Sequence, residues 1–160
     1  MEDMFMEADR LIAEQKIGEA FSKLNSIIHE MPNFGKAYNH IGWIYETKYS
    51  DYANAEKYYK QSIEYSPEYA AAYYNYAIVL STLQKWDELK ALLEQALKVP
   101  GIKKSTIYNE YAIMFEAQGK YADAIQAYKD YAANTFDNKQ LENAKDSIER
   151  CKKKMELMAM

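Results

Sequence analysis

The stretch Tyr38-Asn39-His40-Ile41-Gly42-Trp43-Ile44-Tyr45 decides how this chain folds, once Ala55, Tyr59 and Pro67 are read with it. Tyr38, Ile41, Gly42 and Tyr45 are spaced 3, 1 and 3 apart, which is one stripe of an α-helix. Ala55, Tyr59 and Ser62 make a matching stripe on a second helix, after a polar break at Ser50-Asp51. A small residue inside a stripe of large ones lets two helices approach closely while the large ones interlock beside the crossing.

The pattern recurs. Ala8, Gly42, Ala77 and Ala112 follow one another in steps of 34, 35 and 35 residues. Three positions further on stand Leu11, Tyr45, Leu80 and Phe115, and four positions earlier stand Met4, Tyr38, Tyr73 and Tyr108. A second column holds Ala20, Ala55, Leu89 and Ala124, and four residues later Leu24, Tyr59, Leu93 and Tyr128. Pro32, Pro67 and Pro100 close the first three units. A period in this range marks a repeat array in which each unit buries its apolar face against its neighbours. The spacing predicts helices over 2–14, 17–30, 36–48, 51–65, 68–82, 85–98, 104–118, 121–134 and 138–157, with Ser66 as an N-cap before Pro67 in a first helical turn.

Small residues at the crossing, aromatics three or four positions away, Ala at the head of the second helix and a terminal Pro resemble the tetratricopeptide repeat (TPR) pattern. The resemblance covers about residues 2–137. The second unit carries it best; the first is the poorest, with Glu7 where a large apolar residue is usual. It implies an all-α, right-handed superhelix (α-solenoid) of four hairpins, at about 1–34, 35–69, 70–104 and 105–137, closed by a capping helix over 138–158, all forming a single domain over 1–160. That last segment has a narrow apolar stripe, Leu141, Ala144, Ile148, Cys151, Met155 and Met158, amid charged residues, and Asp137 with Gln140 resembles a capping box.

Ten of the sixteen tyrosines fall in repeat columns, which makes them packing residues. The composition is 49% hydrophobic and 28% charged, with five Gly and three Pro, which excludes a disordered chain and disfavours a β-rich one. A net charge of −4 argues against nucleic-acid and anionic-membrane surfaces. No segment is long and apolar enough to span a bilayer, no secretory signal is recognisable, and one cysteine cannot build a disulfide framework, so a cytoplasmic location is expected.

No catalytic constellation is expected. His29 and His40 lie on different helices with no Cys or paired carboxylate at ligand spacing, so no metal site is expected. Gly18, Gly35, Gly42, Gly101 and Gly119 are scattered singly, so there is no phosphate loop, and no cofactor is implied.

The resemblance implies instead a non-catalytic adaptor whose first helices line a concave groove for a peptide or protein segment. The columns flanking the crossing place Phe5, Asn39, Tyr74 and Asn109 there, with Asp9, Trp43, Ile78 and Ile113 one turn along. Trp43, Tyr74, Ile78 and Ile113 are expected to make an apolar strip, with the amides of Asn39 and Asn109 facing a peptide backbone. Members of the family that grip an acidic C-terminal tail do so with Lys, Arg and Asn. The corresponding positions here hold Phe5, Asp9, His40, Ala71 and Asn75, or, shifted by one unit, Asn39, Trp43, Asn75, Thr106 and Glu110, so that clamp is not transferred. The alternatives are a homo-oligomeric scaffold and, against the net charge, an RNA-binding helical repeat.

Overall fold

A computed structural model describes residues 1–160 and contains nine α-helices and no strand. They are α1 (Glu2–Ala13), α2 (Ile17–Glu30), α3 (Gly35–Tyr49), α4 (Tyr52–Tyr65), α5 (Ala70–Thr82), α6 (Trp86–Ala96), α7 (Lys104–Ala117), α8 (Tyr121–Ala133) and α9 (Asn138–Met158). The chain divides into two compact units, Met1–Lys85 and Trp86–Met160, taken separately below.

Within the first unit, α1 pairs with α2 and α3 with α4, and α5 packs against α4 and α3. Its core gathers Phe5, Ala8, Leu24, Ile27, Ala37, Ile41 and Ile44. Gly42 shows why the crossing column is small. A Cβ there would stand 2.9 Å from the Tyr59 ring and 3.2 Å from the Ala55 carbonyl oxygen. Ala8, Ala20, Ala55 and Ala77 are fully buried.

In the second unit α7 pairs with α8, α6 packs against α7, and α9 lies along α8. Ala112, Ala124, Ala127, Tyr128 and Tyr131 form a core that Ala144 and Cys151 of α9 complete. The middle of the α9 stripe is thereby buried, whereas Leu141, Met155 and Met158 at its ends are exposed. Asp137 Oδ1 accepts the Gln140 amide as a capping box requires. The reciprocal bond is relayed, because Thr135 Oγ1 donates to Gln140 Oε1 while accepting the Asp137 amide.

The turns repeat as faithfully as the cores. Gln15, Ser50, Gln84 and Gly119 all adopt left-handed backbone (φ 62°, 50°, 55° and 74°) at the end of a first helix. The amides that follow, Lys16, Asp51, Lys85 and Lys120, donate to the carbonyls of Leu11, Tyr45, Leu80 and Phe115, which are the four members of the large column. Such a bond satisfies carbonyls that a helix end would otherwise leave bare.

The loop between α4 and α5 differs from the N-cap expectation. Ser66 closes α4, its amide donating to the Ser62 carbonyl, and α5 begins only at Ala70. Pro67 instead offers its carbonyl to the Tyr73 hydroxyl at 2.7 Å, as Pro32 offers its own to Tyr38 at 2.6 Å. In these two units the proline and the tyrosine are therefore one device: the ring hydroxyl of a first helix reaches back and fixes the loop that enters it. Of the ten column tyrosines none is exposed.

Candidate functional site

In the first unit, α1, α3 and α5 present side chains around a pocket of about 290 Å³ lined by Asp9, Ile12, Asn39, His40, Trp43, Tyr69, Ala71 and Asn75. The helix crossings set this up. Because Ala8, Gly42 and Ala77 bring the helices together, residues one position off that column either close the seam or open onto the surface.

Phe5 closes the seam. It is 7% exposed and packs edge-on against Phe34 at 5.6 Å and His40 at 4.5 Å, so the aromatic side chain expected on the groove lies in the core. Asn39 is also buried, at 3% exposed. Its amide is engaged inside the protein: Asn39 Oδ1 accepts from Asn75 Nδ2 at 3.0 Å, and Asn39 is hydrogen-bonded to the Tyr69 side chain. The half-buried Asn75 is thus the outer member of an amide pair, Asn39 beneath it. Trp43 is half-buried and lines the pocket, Tyr74 is half-buried, and Ile78 is 47% exposed on α5. Asn109 and Ile113 stand on α7 in the second unit, the former half-buried and the latter 39% exposed.

The polar side of the pocket rests on Asp9 and His40. His40 Nε2 approaches Asp9 Oδ1 at 2.6 Å, while Nδ1 faces the Lys36 carbonyl at 3.2 Å and the Asn39 amide at 3.5 Å. Burial pushes the Tyr69 phenol up, the charge of Asp9 adds to that, and the Asn39 bond opposes it. Sequence reasoning places Asp9 in a groove column, names His40 only in testing for a metal site and an acidic-tail clamp, and leaves out Tyr69. Tyr69 follows the Pro67 turn and precedes α5, outside the helical stripes; the signal that marks it is Phe34, which stands at the same position ahead of α3.

In the second unit the densest electrostatic cluster holds α9 in place. Glu116 accepts two bonds from Arg150, Nε to Oε1 and Nη2 to Oε2, each 2.7 Å, a further one from Lys154 Nζ at 2.9 Å, and the Tyr128 hydroxyl at 2.8 Å. These contacts, led by Arg150, hold its carboxyl down at about 2 against the opposing effect of burial. No group of three or more His, Cys, Asp and Glu side chains is arranged to hold a metal ion. No helix is long and apolar enough to cross a membrane.

Two tetratricopeptide repeat family models match the sequence, one over residues 46–99 and one over 80–138, so that together they cover more than half of the chain. No match is found among curated protein sequences. Among solved structures, the chain resembles a thermophilic TPR protein of Thermus thermophilus, with TM-score 0.73, 16% identity, and 91% of this chain and 79% of that one covered. It also resembles the MamA protein, with TM-score 0.80, 16% identity, and 98% and 85% covered. A third resemblance is to YrrB, described as a TPR protein with an unusual peptide-binding site, with TM-score 0.77, 14% identity, and 96% and 76% covered. At these identities the likeness is one of fold.

Proposed function

The chain belongs to the tetratricopeptide repeat family, and on that premise we propose that it is a non-catalytic interaction module holding an extended peptide or protein segment against α1, α3 and α5. The observation that carries this reading is the pocket around Trp43. It joins an indole and an isoleucine to an amide pair within one concavity. Aromatic and aliphatic walls accept a side chain, and an amide such as Asn75 can bond the peptide backbone beside it. Tyr74 and Ile78 on α5 belong to the same proposed binding set. Asn109 and Ile113 on α7 are proposed as contact residues of the second unit. Affinity for a short peptide is expected on the order of micromolar, because ordering the peptide offsets much of the contact energy.

The test is affinity capture from a lysate with the wild type and a Trp43→Ala, Asn75→Ala variant of equal melting temperature. Partners retained by the wild type and lost by the variant, then shown to bind directly as purified proteins, support the reading. Equal retention by both refutes it.

A second reading, assembly of copies through the end of α9, is favoured by one observation. Met155 and Met158 border a groove of about 570 Å³ with Tyr121 and Ala122, and Met158 is 76% exposed. A concentration-dependent mass by light scattering, abolished by Met155→Glu, would support it; a constant monomer mass would eliminate it.

A further inference from the structure

We propose that the pocket between α1, α3 and α5 selects a peptide segment through a Lys or Arg side chain, with Asp9 as its anionic anchor; this rests on the binding reading above. The lining holds one carboxylate and no lysine or arginine. Asp9 keeps 57% of its side chain exposed even though His40 engages Oδ1, so the carboxylate can take a second donor. Beside it stand the Trp43 and Tyr69 rings. Aromatic faces attract cations, and the Trp43 ring already has the Lys48 ammonium 5.3 Å from its centroid. A carboxylate next to aromatic rings is therefore a receptor for a guanidinium or ammonium group on an apolar stem.

The surrounding charges favour the same sign. Both nearby lysines already have partners: Lys36 pairs with Glu2 at 3.3 Å, and Lys48, whose ammonium lies over the Trp43 ring, donates to Gln15 at 3.3 Å. Neither lines the pocket. The fields of Asp9 and Glu2 both reach the Tyr69 hydroxyl, where they disfavour a further negative charge. An acidic side chain entering here would lose water, meet Asp9 and find no lysine or arginine in the lining. Rejection of acidic segments thus comes from the same residues as acceptance of basic ones. Asn75, the outer amide of the pair, carries no charge, so side-chain selection falls to Asp9 and the rings.

The experiment is selection of a phage-displayed random peptide library on the immobilised full chain. Parallel selections use Trp43→Ala, Asp9→Asn and Asp9→Lys variants whose circular dichroism and melting match the wild type. The wild type is expected to enrich Lys or Arg at one position by roughly tenfold over the input library, and Asp9→Asn to lose most of that enrichment. Asp9→Lys should turn the preference towards Asp and Glu. If the wild type enriches peptides that Trp43→Ala does not, but without basic preference, or with one that survives Asp9→Asn, the cation inference is overturned and the groove stands. If the wild-type and Trp43→Ala pools are indistinguishable, the binding reading fails and this inference with it.

Discussion

Arg150 of α9 and Glu116 of α7 face each other as a fork, with both nitrogen-to-oxygen distances at 2.7 Å. The carboxylate is only 12% exposed, and Tyr128 and Lys154 bond it as well. Three side chains from two helices therefore converge on one carboxylate, and the last helix is tied down by polar contacts as well as by the burial of Ala144 and Cys151.

The pH dependence of the second unit follows. The Glu116 carboxyl titrates at about 2 in the folded chain and near 4.5 without its partners. A depressed carboxylate contributes stability that is whole above pH 4.5 and is lost as pH falls towards 2. Arg150→Ala is expected to cost about 1–2 kcal/mol at neutral pH, since a paired carboxylate loses a charged bond that is partly exposed. Thermal melts from neutral to acid pH should show the difference from wild type shrinking on acidification. A difference independent of pH would mean that the fork adds nothing through charge.

Gly42 gives the sharpest packing test. Replacing it with Ala brings a helix-propensity gain of up to about 1 kcal/mol, which must be set against a Cβ 2.9 Å from the Tyr59 ring. Gly42→Leu overpacks further and is expected to destabilise by about 1–3 kcal/mol or more. Ile113→Ser, at a position 39% exposed, should cost less. Equal shifts in denaturant midpoint would mean that crossing and surface columns are assigned to the wrong faces.

The Tyr59 hydroxyl donates to Glu46, and Tyr128 repeats this with Glu116. In the other two units the ring position is Leu24 or Leu93. A buried phenol needs an acceptor where leucine needs none. Burial raises the Glu46 carboxyl and the Tyr59 bond lowers it, with burial the larger effect. Its ionised form therefore opposes folding above its raised titration, and the phenol limits that penalty. Tyr59→Phe should cost about 1–3 kcal/mol at neutral pH and less in acid, where Glu46 is protonated. A double-mutant cycle with Glu46→Gln in urea should show coupling; additive losses would deny the bond any energetic role.

Three of the four left-handed turn residues carry side chains. Such a conformation disfavours a Cβ by roughly 1 kcal/mol, and glycine removes that strain while adding freedom to the unfolded chain. Gln15→Gly, which copies Gly119, is expected to raise stability by a few tenths to about 1 kcal/mol in urea titration. A loss would show that the Gln15 side chain matters more than its backbone, through its contact with Lys48.

The columns were legible because helix packing forces small residues to recur at one spacing, and every member of both small columns is fully buried or, at Gly42, in close contact. Helix ends followed from the same period, usually within two residues. Ser66-Pro67 misled because Ser followed by Pro suits both a helix start and the turn after one; the carbonyl demand of Tyr73 selects the turn. At Phe5 and Asn39 the period locates the residue but not what covers it. Phe34, His40 and Asn75 come from elsewhere in the chain. Arg150 and Lys154 look like solvated charges from α9 alone, and only α7 reveals their partner.

A partner is proposed to occupy the face of α1, α3 and α5. Amide NMR titration of the isotopically labelled full chain with a peptide taken from a captured partner tests it most directly. Shifts are expected to concentrate around Asp9, His40, Trp43, Tyr69 and Asn75, with the same peptide failing to saturate a Trp43→Ala, Asn75→Ala variant. Shifts confined to α2, α4 or the end of α9, with those five residues unmoved at saturation, would contradict it.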